Sequence, residues 1–330
     1  MTPIPHRPVF ILGCPRSGTT LVQLMVHAHP RFAIPPETRF VLDAYQRRRE
    51  FGDLRVAANR HRLAAWIVRT ERHRFADLGL DPDRTAAAIA AAPPTLGSAI
   101  GTVFRCYAER FGKPRWGDKR PGYYQHVDVI TRLFPGAQFV HVVRDGRDCV
   151  GSLKHQPWYR PDSYAAIATW AEAVDYGDAA ADRLGPGSYH RLRFESLIEH
   201  PERELAALCA FLGEEYDPAM CEPAAVARVV LPARKTWHDR TLGPVDPAAQ
   251  GTWRARLDPW EIELCETVLA GRLRANGYEV SGGRRASPSR LARYAATASA
   301  RRLAHRKRRM TDTVRRLGEP SPAEVPAPPH

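Results

Sequence analysis

The sequence predicts an α/β fold, with a P-loop-type parallel sheet flanked by helices. Two short apolar runs, residues 9–12 and 139–143, predict buried strands, and residues 189–194 predict a third. Segments with helical spacing separate these strands, and such alternation is typical of a mostly parallel sheet. The 330 residues are 44% hydrophobic and 26% charged. This length allows one large domain or two, and the composition excludes a fibrous or wholly disordered chain.

The predicted elements follow one another in the order that this fold requires. The first strand ends at Gly13, and a helix-like run after it completes a first βα unit. Ala- and Arg-rich stretches then predict a helical insertion at about residues 41–112, before the second strand. The predicted helical segments are residues 21–27, 41–75, 82–111, 123–134, 201–212 and 260–275.

The net charge of +13 suggests nucleic acid or another anionic partner, but it is unevenly distributed. Residues 281–330 hold twelve Lys/Arg and three Asp/Glu, so they carry +9 and the rest of the chain +4. We therefore predict a main domain over residues 1–280 and a basic, partly helical or disordered tail over residues 281–330. The main domain needs only a local basic pocket.

Within the tail, the spacing of Leu303, Met310, Val314 and Leu317 fits one face of a helix. A basic amphipathic helix indicates an anionic membrane surface, an acidic partner or nucleic acid. A solvated basic tail is the alternative interpretation, and assembly with a second copy of the chain is left open. The proline-rich end, GEPSPAEVPAPPH, is expected to be disordered.

The sequence disfavours several other classes of protein. No uncharged apolar run approaches the ~20 residues of a membrane span. The six cysteines show no CxxC pair and no zinc spacing, so neither a disulfide framework nor a metal site is expected. The N-terminus has no basic segment before a long apolar run, and we expect a cytoplasmic protein without a signal peptide.

Residues 13–20, GCPRSGTT, lie between the first strand and its helix, where a P-loop lies. Such a loop directs backbone N–H groups at an anion, and the helix N-terminus adds about half a positive charge. Thr19 stands where kinases and NTPases place the lysine that contacts the β- and γ-phosphates. The cation is instead Arg16, inside the loop. The other predicted phosphate-binding residues are Ser17, Gly18 and Thr20. A strand-to-helix turn without a ligand is the alternative.

A second anion site is predicted after the second strand, in residues 143–152, VRDGRDCVGS. Arg144 follows the carboxyl end of that strand, where open α/β sheets bind ligands. Ser152 lies about two helical turns further on and can face the same ligand. Two phosphate sites without the P-loop lysine indicate a nucleotide with phosphates at its 5′ and 3′ ends. Taken alone, the segment also fits a surface Arg–Asp loop.

PRSGTT after one strand, and VRDGRD with a serine eight residues beyond its first arginine, resemble the motifs of sulfotransferases. These enzymes use 3′-phosphoadenosine 5′-phosphosulfate (PAPS) as the donor. The resemblance covers roughly residues 8–280. It implies that residues 16–20 hold the 5′-phosphosulfate and that Arg144 and Ser152 hold the 3′-phosphate.

Further segments resemble the tyrosylprotein sulfotransferases and their bacterial relatives: AHP at residues 28–30, ETR at 37–39 and WGDKRP at 116–121. This resemblance implies that Glu37 is the catalytic base and that Lys119 lies beside the transferred sulfuryl group. Arg16 is the second cation expected to stabilise the charge that develops during transfer.

Two other segments resemble nucleotide contacts of the same family. RFESL places Phe194 where the animal enzymes have a tyrosine, so the ring is kept and a hydroxyl contact is lost. QGTWR resembles the segment that closes over the nucleotide, which implies a role for Trp253 and Arg254.

The residue types and their spacing alone do not identify the catalytic base. Glu37 follows two prolines at the start of a helix-like segment, where an acid is favoured without any catalytic role. The alternative bases are His27, His29, His126 and His155, of which His155 is the strongest because it follows the second anion site.

The sequence therefore predicts metal-free, in-line transfer of a sulfuryl group from PAPS to a hydroxyl acceptor. The acceptor class is open among a tyrosine, a glycan and a small molecule, and Trp158 and Trp237 are candidates to line its pocket. The alternatives are a P-loop kinase or NTPase, which Thr19 disfavours, and a binding protein that acts through its basic tail.

Overall fold

The structure, a computed structural model, describes residues 7–231 and 250–325. Five parallel strands form one sheet in the order β2-β3-β1-β4-β5. The strands are β1 (Val9–Gly13), β2 (Phe32–Ala33), β3 (Arg115–Lys119), β4 (Gln138–Val143) and β5 (Tyr189–Arg193). The prediction of an α/β fold with a parallel sheet is confirmed.

Strand β1 lies at the centre of the sheet, which explains its uniformly apolar sequence. Its side chains alternate between two cores: Phe10 and Leu12 contact one, and Val9 and Ile11 contact the other. All four side chains are fully buried. A strand covered by helices on both faces must be apolar at every position.

Helices cover both faces of the sheet. Four of them, α2 to α5, lie between β2 and β3, in the region where the sequence predicts a helical insertion. The helices described are α1 (Thr19–Ala28), α2 (Phe40–Gln46), α3 (Ala57–Arg69), α4 (Pro82–Ala91), α5 (Leu96–Arg110), α6 (Val127–Leu133), α7 (Gly146–Leu153), α8 (Ser163–Leu184), α9 (Phe194–Glu199), α10 (Pro201–Leu212), α11 (Pro223–Val230), α12 (Trp253–Arg256), α13 (Pro259–Val268), α14 (Ala270–Ala275) and α15 (Pro288–Arg316).

The sequence did not predict β2 or β3. Strand β2 has two residues, too few for a periodic signal. Strand β3, RWGDK, has three charged residues, yet all five of its residues are buried. Arg115 donates to the Leu212 carbonyl at 2.8 Å and to Glu214 at 2.9 Å, so its charge is compensated inside the fold.

The basic C-terminal segment forms the 29-residue helix α15 and packs on α8. Arg301 pairs with Glu172 at 2.7 Å, and the rings of His305 and Tyr176 lie 4.6 Å apart. The expectation of disorder in the proline-rich end is wrong for residues 318–325. There the Glu324 N–H donates to the Leu133 carbonyl at 2.7 Å, and Val325 N–H donates to Ser98 Oγ at 2.9 Å. Backbone hydrogen bonds to the body order this segment despite its composition.

None of the described helices is both long enough and apolar enough to cross a membrane.

The division of the chain into a main domain over residues 1–280 and a tail over residues 281–330 stays a prediction.

Candidate functional site

The loop between β1 and α1 has the geometry of an anion site. Gly18 caps α1 in the left-handed region (φ +99°), and Arg16 also has a positive φ of +74°. The first turn of α1 has no acidic side chain to occupy its N–H groups. Ser17 is fully buried, and its Oγ has no hydrogen-bond partner among the described residues. A phosphate oxygen at this loop would accept from these donors.

Phe194 lies directly over this loop. A Cβ at position 18 would be 2.3 Å from Cδ2 of the Phe194 ring, so only glycine fits there. The guanidinium of Arg144 lies 4.7 Å from the centroid of the same ring. The ring thus connects the phosphate loop with the residue that follows β4, a place suited to stack on a flat base or to shield a nucleotide.

The structure brings the two predicted anion sites together. Arg16 Nε donates to Ser152 Oγ on α7 at 3.0 Å, and Arg144 Nη1 donates to the Arg16 carbonyl at 3.2 Å. The Trp170 indole N–H donates to the Arg144 carbonyl at 2.8 Å and fixes the backbone there. The result is a compact pair of cations above the carboxyl ends of β1 and β4, the edge at which parallel sheets bind ligands.

Asp148 positions the GTW segment beside this pair. Its carboxylate accepts from the N–H of Gly251 at 2.9 Å, from the Thr252 hydroxyl at 2.9 Å and from the N–H of Trp253 at 2.8 Å. The Trp253 ring carries the Arg254 guanidinium at 4.4 Å. Trp253 and Arg254 therefore lie next to α7. Sequence reasoning missed Asp148, although it stands inside the VRDGRD motif.

Lys119 and Glu37 form the second part of the site. Lys119 Nζ lies 3.6 Å from Glu37 Oε2 and donates to Thr20 Oγ1 at 3.4 Å. The lysine side chain is 3% exposed and the glutamate side chain 27%. An ammonium at the end of β3 thus contacts both a partly exposed carboxylate and the first turn of α1.

The segment that carries Glu37 is fixed to α1 by buried side chains. Gln23 Nε2 donates to the Pro35 carbonyl at 2.7 Å, and a ring nitrogen of His27 lies 3.1 Å from the backbone of Ile34. Sequence reasoning missed Gln23 because a lone polar residue on an apolar helix carries no motif. Its contact explains why Glu37 lies near the first turn of α1.

Asp118 is a further residue that the sequence did not single out. It is fully buried and accepts from the Tyr123 hydroxyl, from Thr38 Oγ1 at 3.4 Å and from the Lys119 N–H at 2.9 Å. Burial raises the pKa of this carboxyl to about 6. Because Thr38 follows Glu37, Asp118 connects both members of the Lys119–Glu37 pair.

The alternative histidine bases have other partners. His29 Nε2 lies 2.9 Å from the Glu215 carbonyl, and His155 Nδ1 lies 2.8 Å from the Gly151 carbonyl. Burial lowers the pKa of His27 to about 3 and that of His126 to about 4, as expected for neutral structural imidazoles. Lys119 contacts Glu37 and Thr20 in the structure, and no hydrogen bond or ion pair observed in residues 7–231 and 250–325 joins it to these histidines.

The predicted site residues thus fall into two adjoining groups. Arg16, Gly18, Arg144, Ser152 and Phe194 surround the phosphate loop, while Thr20 connects the loop to Lys119 and Glu37. Trp253 and Arg254 join through Asp148, and the buried Ser17 and Thr19 belong to the loop itself. Trp158 is 45% exposed and touches Tyr159, whereas Trp237 lies outside the described residues.

Within the described part of the chain there is no cluster of three or more His, Cys, Asp or Glu residues able to hold a metal ion. The positive charges of the site described above are those of Arg16, Lys119 and Arg144. They are placed to hold a small polyanion and to stabilise negative charge that develops next to Glu37.

A family model described as "Sulfotransferase family" matches residues 8–218. Nodulation protein NoeE of Sinorhizobium fredii is 28% identical over 299 residues, covering 82% of this chain and 66% of NoeE. Protein-tyrosine sulfotransferase 1 of Danio rerio is 25% identical over 286 residues, covering 82% of this chain and 72% of that protein. The chain thus spans just under two thirds of the length of NoeE.

Two solved structures have the same fold. The sulfotransferase domain of the Synechococcus PCC 7002 olefin synthase superimposes with a TM-score of 0.53 at 24% identity, covering 77% of this chain and 90% of that one. The sulfotransferase domain from the curacin biosynthetic pathway superimposes with a TM-score of 0.56 at 19% identity. The match covers 84% of this chain and 99% of that one. At these identities the likeness concerns the fold.

Proposed function

This chain belongs to the sulfotransferase family, and we propose that it transfers a sulfuryl group from PAPS to a hydroxyl acceptor. The observation that carries the proposal is the contact of Lys119 with Glu37 and Thr20, at 3.6 and 3.4 Å. It joins a cation, a carboxylate and the phosphate loop at one place, as sulfuryl transfer to a hydroxyl requires.

The two ends of the donor have separate candidate partners. The loop N–H groups, with Ser17 and Thr20, suit the 5′-phosphosulfate. Arg144 and Ser152 suit the 3′-phosphate, and the Phe194 ring suits the nucleoside. The Trp253 ring is 6% exposed and contacts the guanidiniums of Arg147 and Arg254 at 4.3 and 4.4 Å, so its proposed role is to hold Arg254 near the nucleotide. The Ser17 Oγ is buried and has no hydrogen-bond partner within residues 7–231 and 250–325, which supports an anion at this loop. Thr19 in place of the P-loop lysine argues against a kinase or NTPase.

In the proposed transfer, the acceptor hydroxyl attacks sulfur in line with the bond to the 5′-phosphate. The new O–S bond forms as the bond between sulfur and the phosphate oxygen breaks, and Glu37 accepts the hydroxyl proton. Negative charge grows on the departing phosphate oxygen. Lys119 and Arg16 stabilise this charge, a contribution worth roughly 3 kcal/mol for one well-placed group.

The acceptor is a hydroxyl-bearing molecule, and the partly exposed Glu37 marks where its oxygen would lie. Relatives named as protein-tyrosine sulfotransferases make tyrosine in a peptide the first class to test. A glycan hydroxyl and a small-molecule phenol are the other two classes. A cytoplasmic location stays a prediction that cell fractionation would test.

The test is transfer of labelled sulfate from PAPS to a panel of a tyrosine peptide, a glycan and a phenol, with a chelator present. We expect label in at least one acceptor, together with release of 3′-phosphoadenosine 5′-phosphate (PAP), and no loss of rate on adding the chelator. Transfer that needs a divalent metal would contradict the proposed mechanism. Transfer of the γ-phosphate of ATP, with none from PAPS, would overturn the function.

A further inference from the structure

Helix α15 exposes an apolar stripe that the proposed chemistry does not use. Its members are large side chains that are 62–74% exposed, whereas most large apolar side chains of the described chain are buried. Three of them lie on α15 and the fourth is the residue that follows its last turn, so they span about 21 Å at 1.5 Å per residue. We call them the apolar stripe: Leu303, Met310, Val314 and Leu317.

Contacts on the opposite face fix the direction in which the stripe points. Arg301 pairs with Glu172 at 2.7 Å, and Arg316 pairs with Asp128 at 3.3 Å. Between them His305 is 5% exposed and packs on Tyr176. Because these residues anchor one face of α15 to the rest of the protein, the stripe on the opposite face points away from it and is exposed to solvent.

Cations lie on both sides of the stripe. Asp312, the only acidic residue of α15, already pairs with Arg48 and Arg316. Six other basic residues of the helix are exposed and make no ion pair with a carboxylate of residues 7–231 or 250–325. At about 100° per residue, Arg302, Arg306 and Lys307 lie nearest the stripe, and we call these three the flanking cations. The other three are Arg308, Arg309 and Arg315.

We propose that this face of α15 binds the surface of an anionic lipid bilayer, with the helix parallel to the membrane plane. The apolar stripe enters the interface, and the flanking cations contact lipid phosphates. A second copy of the chain fits poorly, because a symmetric contact would oppose the flanking cations of one copy to those of the other. Nucleic acid would use the cations and leave the stripe in water.

The test is flotation of the full chain with phosphatidylcholine vesicles, with and without about 30 mol% phosphatidylglycerol. We expect at least ~10-fold stronger binding to the anionic vesicles, weakened again at about 0.5 M salt. Equal binding to both vesicles, or no binding to either, would overturn the proposal. Dimerisation through the stripe, seen by sedimentation in the absence of lipid and abolished by substituting the stripe, would also overturn it.

Two triple variants separate the apolar and ionic contributions to lipid binding. Leu303→Gln/Met310→Gln/Val314→Gln keeps every charge, and Arg302→Gln/Arg306→Gln/Lys307→Gln keeps the stripe. Each should reduce binding to anionic vesicles by ~10-fold or more, since both contributions are needed. Full binding by the apolar triple variant would show that the stripe does not insert, which contradicts the proposal.

Matched controls lie at exposed sites elsewhere on the chain. Val56→Gln/Val229→Gln removes two apolar side chains that are 51% and 61% exposed. Arg183→Gln/Arg228→Gln/Arg274→Gln removes the same three charges from exposed positions on other helices. Both controls should bind vesicles like the unaltered chain. Sulfuryl transfer and PAP binding are measured separately, so a failure of lipid binding is distinguishable from a failure of the proposed function.

Discussion

Lys119 Nζ lies 3.6 Å from the carboxylate of Glu37, although one residue ends β3 and the other precedes α2. The lysine also contacts Thr20 at the start of the phosphate loop helix. The sheet order, with β3 beside β1, brings these elements together. The contact places a candidate base and a buried cation beside the first turn of the helix that follows the phosphate loop.

Glu37→Gln removes the proton acceptor and keeps the shape of the side chain. We expect kcat for sulfuryl transfer to fall by roughly 10²–10⁴-fold, with PAP affinity nearly unchanged. Steady-state transfer and calorimetric titration with PAP measure the two quantities. The matched control is Glu71→Gln, at an exposed position away from the site. If Glu37→Gln turns over normally while His155→Ala is inactive, the base is His155 instead.

Lys119→Met removes the ammonium and keeps most of the stem. A charge that stabilises the transition state more than the bound donor should lower kcat by roughly 100-fold, with a smaller effect on PAP affinity. Lys119→Arg restores the charge but spreads it over a planar group, so we expect only partial recovery. An equal loss in kcat and in PAP affinity for Lys119→Met would assign the residue to donor binding alone.

Arg144→Ala and Ser152→Ala should remove discrimination for the 3′-phosphate. PAP and AMP differ only by that phosphate, so the ratio of their affinities isolates the contact. Each substitution should reduce the ratio by roughly 10-fold or more, because hydrogen bonds to charged groups contribute ~1.5–3 kcal/mol. Unchanged ratios would place the 3′-phosphate elsewhere. Ser152→Ala is the milder variant, since Arg144 also packs on Phe194.

The titration of Asp118 should lower the free energy of unfolding as pH rises. Burial raises its pKa from 3.8 to about 6, so the folded chain keeps a proton that the unfolded chain has lost. Its stabilising contribution is complete below pH 3.8 and is lost as pH rises through about 6. The change amounts to roughly 3 kcal/mol, at about 1.4 kcal/mol per pKa unit.

Asp118→Asn cannot titrate at this position and tests that dependence. The difference in unfolding free energy between the two proteins, measured by urea titration at several pH values, should change by this amount between about pH 4 and 7. Parallel stability curves would mean that Asp118 does not titrate in this range. The substitution should also lower kcat, because the amide cannot accept all three hydrogen bonds that hold the Lys119–Glu37 pair in place.

The sequence predicted the parts of the fold whose signal is local. Residues 9–12 and, apart from the buried His141, residues 139–143 are apolar because helices cover both faces of the sheet, and the loops after them carry motifs. Strand β3 was missed because Arg115 and Asp118 look like surface residues. Their charges are satisfied only by partners that the folded chain supplies, among them Glu214 and Tyr123.

Residues of the site were missed for the same reason, namely that their partners become neighbours only in the folded chain. Asp148 and Gln23 act on backbone groups that are distant along the chain, and no spacing rule connects them. Order in residues 318–325 depends on contacts with Leu133 and Ser98, which composition does not reveal. Residues recognised by local motif were predicted, whereas residues that act through tertiary hydrogen bonds were not.

Calorimetric titration of the full chain with PAP, AMP and ATP determines whether the site binds a nucleotide with phosphates at both ends. We predict that PAP binds at least ~10-fold more tightly than AMP or ATP without added metal, because the proposed partners of the 3′-phosphate, Arg144 and Ser152, would have no phosphate to bind in AMP or ATP. Tight binding of ATP with no binding of PAP would show that the site is not built for a nucleotide with a 3′-phosphate.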